Sequence, residues 1–269
     1  MKTAGKEHMK DEMPLFKEVL EDTYLLKVPF GPVWTGIVLV RGETNVLIDS
    51  SHLEPEKYLL PALADLGLKP SDIGWLLNTH VHGDHIGGHH ALVTRDGLKT
   101  ATLASAADAL RDPVKVAIRV RTRFPHNSPA PQSYLKGVEP DRLLAEGERL
   151  AGRFRALATP GHDDDCLTWI DTKTNTAFTG DSIQGNGTPT QGIGFYRSLP
   201  AYRATLAKLV AANLSNIVCA HAYDGIGDVI RGERAVADAL AYSEARVRLY
   251  GEKIRAYVAA GVPVEAEPV

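Results

Sequence analysis

His80, His82, Asp84 and His85 fall within one short segment, Asn78-Thr79-His80-Val81-His82-Gly83-Asp84-His85-Ile86-Gly87-Gly88. It follows directly on Ile73 to Leu77, an apolar run that reads as a buried strand. Two apart on an extended backbone, His80 and His82 point to the same side and can share one metal ion. Asp84 and His85 lie past Gly83, where the chain can turn, and can face a second ion beside the first. Neutral imidazoles and a carboxylate suit zinc and, less selectively, iron or manganese. Gly87 and Gly88 let the following helix pack close to the site. Histidines at strand ends can also be plain surface polar groups. His8, His52, His89, His90 and His126 carry no assigned role, and His89 and His90 are expected to face solvent on the helix after the motif.

This segment resembles the HxHxDH signature of the metallo-β-lactamase superfamily, and further motifs of that family follow in order. Thr159-Pro160-Gly161-His162 is similar to its third metal motif. Thr179-Gly180-Asp181 is similar to its fourth, whose aspartate bridges two metals, and Cys219-Ala220-His221 to its fifth. Asp49, closing the Val46-Leu47-Ile48 strand, matches the early aspartate that supports the ligand loop. The resemblance runs from Thr35 to His221 and implies a four-layer αββα sandwich. It implies two zinc ions (iron or manganese as alternatives). His80, His82 and His162 would hold the first, Asp84, His85 and His221 the second, with Asp181 between them. Two such ions about 3.5–4 Å apart lower the pKa of a shared water toward 7 and supply a bridging hydroxide. Asp84 would orient it and carry its proton to the leaving group. No nucleophilic serine or cysteine is needed, and Cys166 reads as a buried, inert thiol.

The superfamily hosts many reactions on one fold. Asp181 separates this chain from the secreted lactam-cleaving enzymes, which typically lack that carboxylate. His82 stands where flavodiiron oxidoreductases usually carry glutamate. The chain is also short for the added domain of the nucleic-acid-processing members. What remains is hydrolysis of a small-molecule ester, lactone or thioester, with a phosphoesterase or β-lactam hydrolase as the alternative. Cys219-Ala220-His221-Ala222-Tyr223 faintly resembles the glutathione thioesterases, yet the Asp181 to Gly187 stretch lacks their glycine-arginine features. A reading of another class is a non-catalytic metal-binding protein. Asp163-Asp164-Asp165 replaces a small hydroxyl residue common after His162. It reads either as a solvated turn or strand cap or as a carboxylate that fixes His162 or another ligand.

The elements that must position these residues alternate short β runs with helices. Strands are expected over Thr23 to Val28, Trp34 to Arg41, Asn45 to Asp49, Ile73 to Leu77 and Ala101 to Leu103, and later over Phe154 to Ala158, Leu167 to Ile170, Thr176 to Thr179 and Ile217 to Ala220. Helices are expected over Glu56 to Leu66, His85 to Val93, Ala104 to Leu110, Val114 to Phe124 and Ala201 to Ala212. Pro113 to Pro140 reads as a lid-like insertion. Its Phe124 and Tyr134, together with Tyr223, are candidate substrate contacts. Lys115, Arg119 and Arg123 form a helical stripe that is either a phosphate site or a solvated face. Residues 226–262 read as a C-terminal helical segment, with Arg231 to Ala259 as one long helix or two shorter ones. It could cover the sheet or join a homodimer.

The 269 residues, at about 150 per domain, allow one large domain, and the motif order favours a single domain over 1–269. Apolar residues make up 44 % and charged residues 23 %, the balance of a soluble globular protein. With 30 Lys+Arg against 33 Asp+Glu the net charge is −3, which excludes nucleic-acid binding by bulk positive charge. No apolar run is long enough to span a membrane, and the polar first dozen residues are expected to fray and not to act as a secretory signal. With only Cys166 and Cys219, a reduced, cytoplasmic setting is expected. The partner class expected is a small-molecule substrate.

Overall fold

Along the strand Val33–Val40, Val38 and Val40 turn to one side and Ile37 and Leu39 to the other. All four are buried, so the sheet that holds this strand is covered on both faces. The computed structural model describes residues 13–125, 130, 131, 133 and 135–261. In its first half run β1 (Lys17–Leu20), β2 (Thr23–Phe30), β3 (Val33–Val40), β4 (Asn45–Ile48), α1 (Leu59–Asp65), β5 (Ile73–Leu77), α2 (Gly83–Ile86), α3 (His89–Thr94), β6 (Thr100–Leu103), α4 (Ala107–Arg111), α5 (Pro113–Arg123) and β7 (Arg142–Leu144). In its second half run β8 (Arg149–Leu150), β9 (Phe154–Ala158), β10 (Leu167–Asp171), β11 (Thr176–Gly180), α6 (Leu199–Ala211), β12 (Asn216–Tyr223), β13 (Gly227–Arg231) and α7 (Glu233–Ala259).

The first seven strands form one sheet in sequence order. It is antiparallel from β1 to β4 and parallel from β4 to β7. The second sheet has the order β13-β12-β11-β10-β9-β8, with only β11 and β12 parallel. Between the sheets lies a core of Val38, Val40, Val46, Ile48, Leu77, Phe154, Trp169, Phe178 and Val218. The outer face of the first sheet packs Ile37, Leu39 and Leu47 against Leu59, Leu63 and Leu92 of α1 and α3. That of the second packs Ile170, Ala177 and Ile217 against Tyr202, Leu206 and Leu240 of α6 and α7. The layers are therefore helix, sheet, sheet, helix, as expected.

Several boundaries move. The Glu56 to Leu66 helix begins only at Leu59. The helix expected over His85 to Val93 is two short helices, because Gly87 and Gly88 press against the backbone of Ser50 and Ser51. A Cβ at Gly87 would lie 2.7 Å from the Ser51 carbonyl. Residues 227–231 of the expected C-terminal helical segment are instead strand β13, and one unbroken helix, α7, follows. In the expected insertion, Leu135 and Val138 join Val116 in a small core with Val81 and Ile86, the residues beside the histidine motif. The first dozen residues, His126 and Tyr134 lie outside the described residues.

Candidate metal centre

Every candidate ligand sits just past the end of a strand or in its last residues, on one edge of the sandwich. Parallel pairing of β4 with β5 brings Asp49, at the end of β4, beside Thr79 and the histidines beyond β5. Parallel pairing of β11 with β12 brings Asp181 beside His221 in the same way. Asp49 adopts φ +63°, a turn that aims its carboxylate back across the loop. That carboxylate accepts from the Thr79 backbone N–H (2.7 Å), the Thr79 hydroxyl (2.8 Å) and His85 Nδ1 (2.9 Å).

The other imidazoles are held in the same fashion by the ring nitrogen that faces away from the centre. His221 Nδ1 stands 2.7 Å from the Trp34 carbonyl, and His162 Nδ1 3.0 Å from the Phe195 carbonyl. His82 Nε2 stands 3.0 Å from Asp163 Oδ2. The remaining nitrogens converge. Ligand atoms of His80, His82 and His162 lie within 4.8 Å of one another, as do those of Asp84, His85 and His221 and those of His80, His85 and Asp181. Asp181 divides its oxygens between the triplets. Oδ1 lies 3.5 Å from His85 Nε2 and 3.6 Å from His221 Nε2, while Oδ2 lies 3.5 Å from His162 Nε2.

This arrangement fits divalent metal ions. His80 Nε2, His85 Nε2 and Asp181 Oδ1 are buried with no hydrogen-bond partner among the described residues. Such orphaned atoms are costly unless a ligand takes them up. Nitrogen and carboxylate donors are the set that zinc and related ions prefer. The outer partners fix the tautomer of His82, His85 and His221, so the inward nitrogens of these three rings are free of protons when the ring is neutral.

The electrostatics follow from packing charged and titratable groups together out of water. Burial holds the His80 imidazole well below its ordinary value, and the neighbouring rings add to this. Burial also lowers His162, to about 4. For His85, burial acts in the same direction, but Asp84, Asp181 and Asp49 outweigh it and raise it to about 10. Burial would raise Asp84 and Asp181, yet the facing imidazoles win and hold both carboxyls below the usual range. The centre therefore keeps its carboxylates ionised.

All seven residues expected as metal ligands are brought together here, and Asp49 stands behind them. Of the expected substrate contacts, Tyr223 lines the adjoining cavity. Phe124 packs its ring 4.4 Å from that of Phe195, which lines it. The expectation for His89 is corrected. Its ring is buried, with Nδ1 2.6 Å from the Ser50 hydroxyl, because the helix turns it under the motif. His90 is half-buried, with Nδ1 3.1 Å from the Gly137 carbonyl. Asp163 and Asp165 are not a solvated turn: both are buried, and Asp165 accepts the Val81 N–H at 2.8 Å. Of the expected basic stripe, Arg119 is 41 % exposed and donates to Asp163 at 2.5 Å, while Lys115 and Arg123 are exposed. Cys166 is buried, and burial pushes its thiol well above the ordinary value, consistent with an inert group. Phe195 and Gln184 were not legible in advance. They sit in a glycine-rich stretch, where Gln184 Oε1 accepts the Phe195 N–H at 2.6 Å.

The cavity above the centre has a volume of about 450 Å³. Phe30, Pro32 and Val33 form one wall and Ala117, Val120 and Leu135 another, with His82, Asp84, Asp181 and His221 at the floor. Among the described residues, no helix is long and apolar enough to cross a membrane.

Comparison with known proteins agrees with this geometry. The family model described as the metallo-beta-lactamase superfamily matches residues 28–221. A probable metallo-hydrolase of Burkholderia pseudomallei is 29 % identical over 197 residues, covering 68 % of this chain and 62 % of that protein. A beta-lactamase-like protein 2 homolog of Caenorhabditis elegans is 26 % identical over 222 residues, covering 81 % and 63 %. The chain thus spans about three fifths of the length of these curated relatives. In fold it is similar to a subclass B3 metallo-beta-lactamase of Bradyrhizobium japonicum. The TM-score is 0.64 at 20 % identity, with 94 % of this chain and 98 % of that one covered. With the family model spanning most of the chain and its ligand motifs converging on one edge of an αββα sandwich, the chain belongs to the metallo-beta-lactamase superfamily.

Proposed function

We propose that the protein is a dinuclear metal-dependent hydrolase of small-molecule esters, lactones or thioesters. The observation that carries this reading is the divided carboxylate of Asp181, one oxygen toward His85 and His221 and the other toward His162. His80, His82 and His162 would hold one ion and Asp84, His85 and His221 the other, zinc being the best match to the donors. When bound, such ions supply Lewis acidity at a carbonyl oxygen and lower the pKa of a water toward 7.

The rest of the work falls to the chain. The Asp84 carboxylate borders the cavity and is 20 % exposed, while its Oδ2 lies 3.3 Å from His221 Nε2. It is positioned to take a proton from an attacking water and return it to the leaving group. Phe30, Val33, Val120 and Phe195 offer an apolar surface to an acyl chain or ring and exclude water from the reacting carbonyl. Among the described residues no Lys or Arg lines the cavity, and Arg119 and Arg197 are engaged by Asp163. This favours a substrate that is uncharged away from the scissile bond over a phosphoester or a carboxylate-bearing lactam. We place the protein in the cytoplasm as part of the same reading.

The test is a substrate panel on metal-quantified protein: aryl ester, lactone, acyl thioester, phosphodiester and chromogenic cephalosporin. Turnover confined to the first three is expected. Preference for the phosphodiester or the cephalosporin would replace this reading with the alternative. No turnover of any substrate by fully loaded protein would favour a non-catalytic metal protein.

A further inference from the structure

Asp163 touches more than a ligand imidazole. Its side chain is 1 % exposed and divides its two oxygens. Oδ2 meets His82 Nε2 at 3.0 Å, while Oδ1 accepts from Arg119 at 2.5 Å and from Arg197 at 3.4 Å. Arg119 belongs to α5, whose Ala117 and Val120 form one wall of the cavity. Arg197 lies two residues past Phe195, which lines the cavity and whose carbonyl faces His162 Nδ1. One buried carboxylate thus connects a candidate ligand, the helix over the site and the loop beside it. It does so across 81 residues of sequence to His82 and 44 to Arg119.

We propose that Asp163 is a positioning residue, which with Arg119 couples the orientation of His82 to the seating of α5. Metal uptake by the His80–His82–His162 triplet and closure of the cavity wall are then one event. The inference rests on the reading of that triplet as a metal site.

A carboxylate shared between an imidazole and a guanidinium holds both in fixed directions, because each contact is charge-assisted and out of water. Its Oδ2 selects the His82 tautomer that turns Nδ1 toward His162 Nε2, 3.1 Å away. Its Oδ1 holds Arg119, and hence α5, at the height that closes the wall. Asp164 does not share this role, being exposed and, among the described residues, ion-paired only with Arg197 at 2.9 Å. A ring pulled toward a cation tightens the whole chain of contacts. A helix pulled away loosens the ring.

The experiment measures zinc affinity by chelator competition and hydrogen exchange of residues 113–123 with and without zinc. It uses wild type, Asp163→Asn, Arg119→Ala and Arg119→Lys. Wild type is expected to bind zinc and to gain protection in 113–123 on binding. Asp163→Asn should weaken the affected zinc site by about 10–100-fold. Arg119→Ala should weaken it severalfold, although it touches no ligand, and should abolish most of the zinc-dependent protection. Arg119→Lys should recover part of both. Wild-type zinc affinity in Asp163→Asn, or undiminished zinc-dependent protection in Arg119→Ala, would overturn the coupling. If Asp163→Asn does not fold, the Arg119 pair decides the question alone. If wild type binds no zinc, the metal reading itself fails and the coupling goes with it.

Discussion

Asp49 Oδ2 stands 2.9 Å from His85 Nδ1, and the same carboxylate clamps Thr79, the residue before His80. A single side chain from the end of β4 therefore sets the aim of a candidate ligand in each triplet. Replacing Asp49 with Asn should lower zinc affinity about 10–100-fold while the protein stays folded. Chelator competition and circular dichroism would measure the two effects. Unchanged affinity would show that the backbone alone holds the loop.

Elemental analysis of protein purified with added zinc should approach two metals per chain, as Asp181 faces both triplets. A stable, fully active preparation with one metal per chain, indifferent to more, would contradict the dinuclear reading.

Asp84→Asn should keep the fold but lower kcat on the order of a hundredfold. The amide keeps the size and an oxygen donor but cannot accept a proton. Metal content and turnover both near wild type would remove Asp84 from the proton path.

Replacing Phe195 or Phe124 with Ala should raise KM and alter substrate preference with metal content unchanged. The two rings pack 4.4 Å apart and the Phe195 ring reaches within 5.3 Å of His162. A change in kcat alone, equal across substrates, would argue against a role in substrate fit.

Gly161 takes φ +140°, and a Cβ there would lie 2.4 Å from Tyr202 Cα at the start of α6. Gly161→Ala should destabilise the fold by about 3 kcal/mol, a fall in Tm of roughly 6–12 °C for a chain of this size. A melting curve within a degree of wild type would mean that α6 shifts without penalty.

The strands legible in the sequence are those buried on one or both faces, where apolar runs and alternation mark them. The four strands not anticipated, β1, β7, β8 and β13, are the outer strands of the two sheets. They carry Lys17, Arg142, Arg149 and Arg231 toward solvent and so show no such pattern. The ligand residues were legible because each motif is local and stands just beyond a strand. The burial of His89 was not, since it depends on Ser50, 39 residues earlier. The role of Asp163 stayed open for the same reason: its partners, His82, Arg119 and Arg197, come from three separate elements.

His80, His82, Asp84 and His85 follow a strand of the first sheet, whereas His162, Asp181 and His221 belong to the second. Each candidate triplet draws on both. A cation held there would act as a further clasp across the seam, beside hydrogen bonds that already cross it, such as Leu167 N–H to the Thr79 carbonyl and Val81 N–H to Asp165. Heat resistance should accordingly track free zinc concentration by mass action. Stripping the ions would let the two sheets part first at the open edge, so that a protease would find its earliest cuts in the loops that bear the ligands.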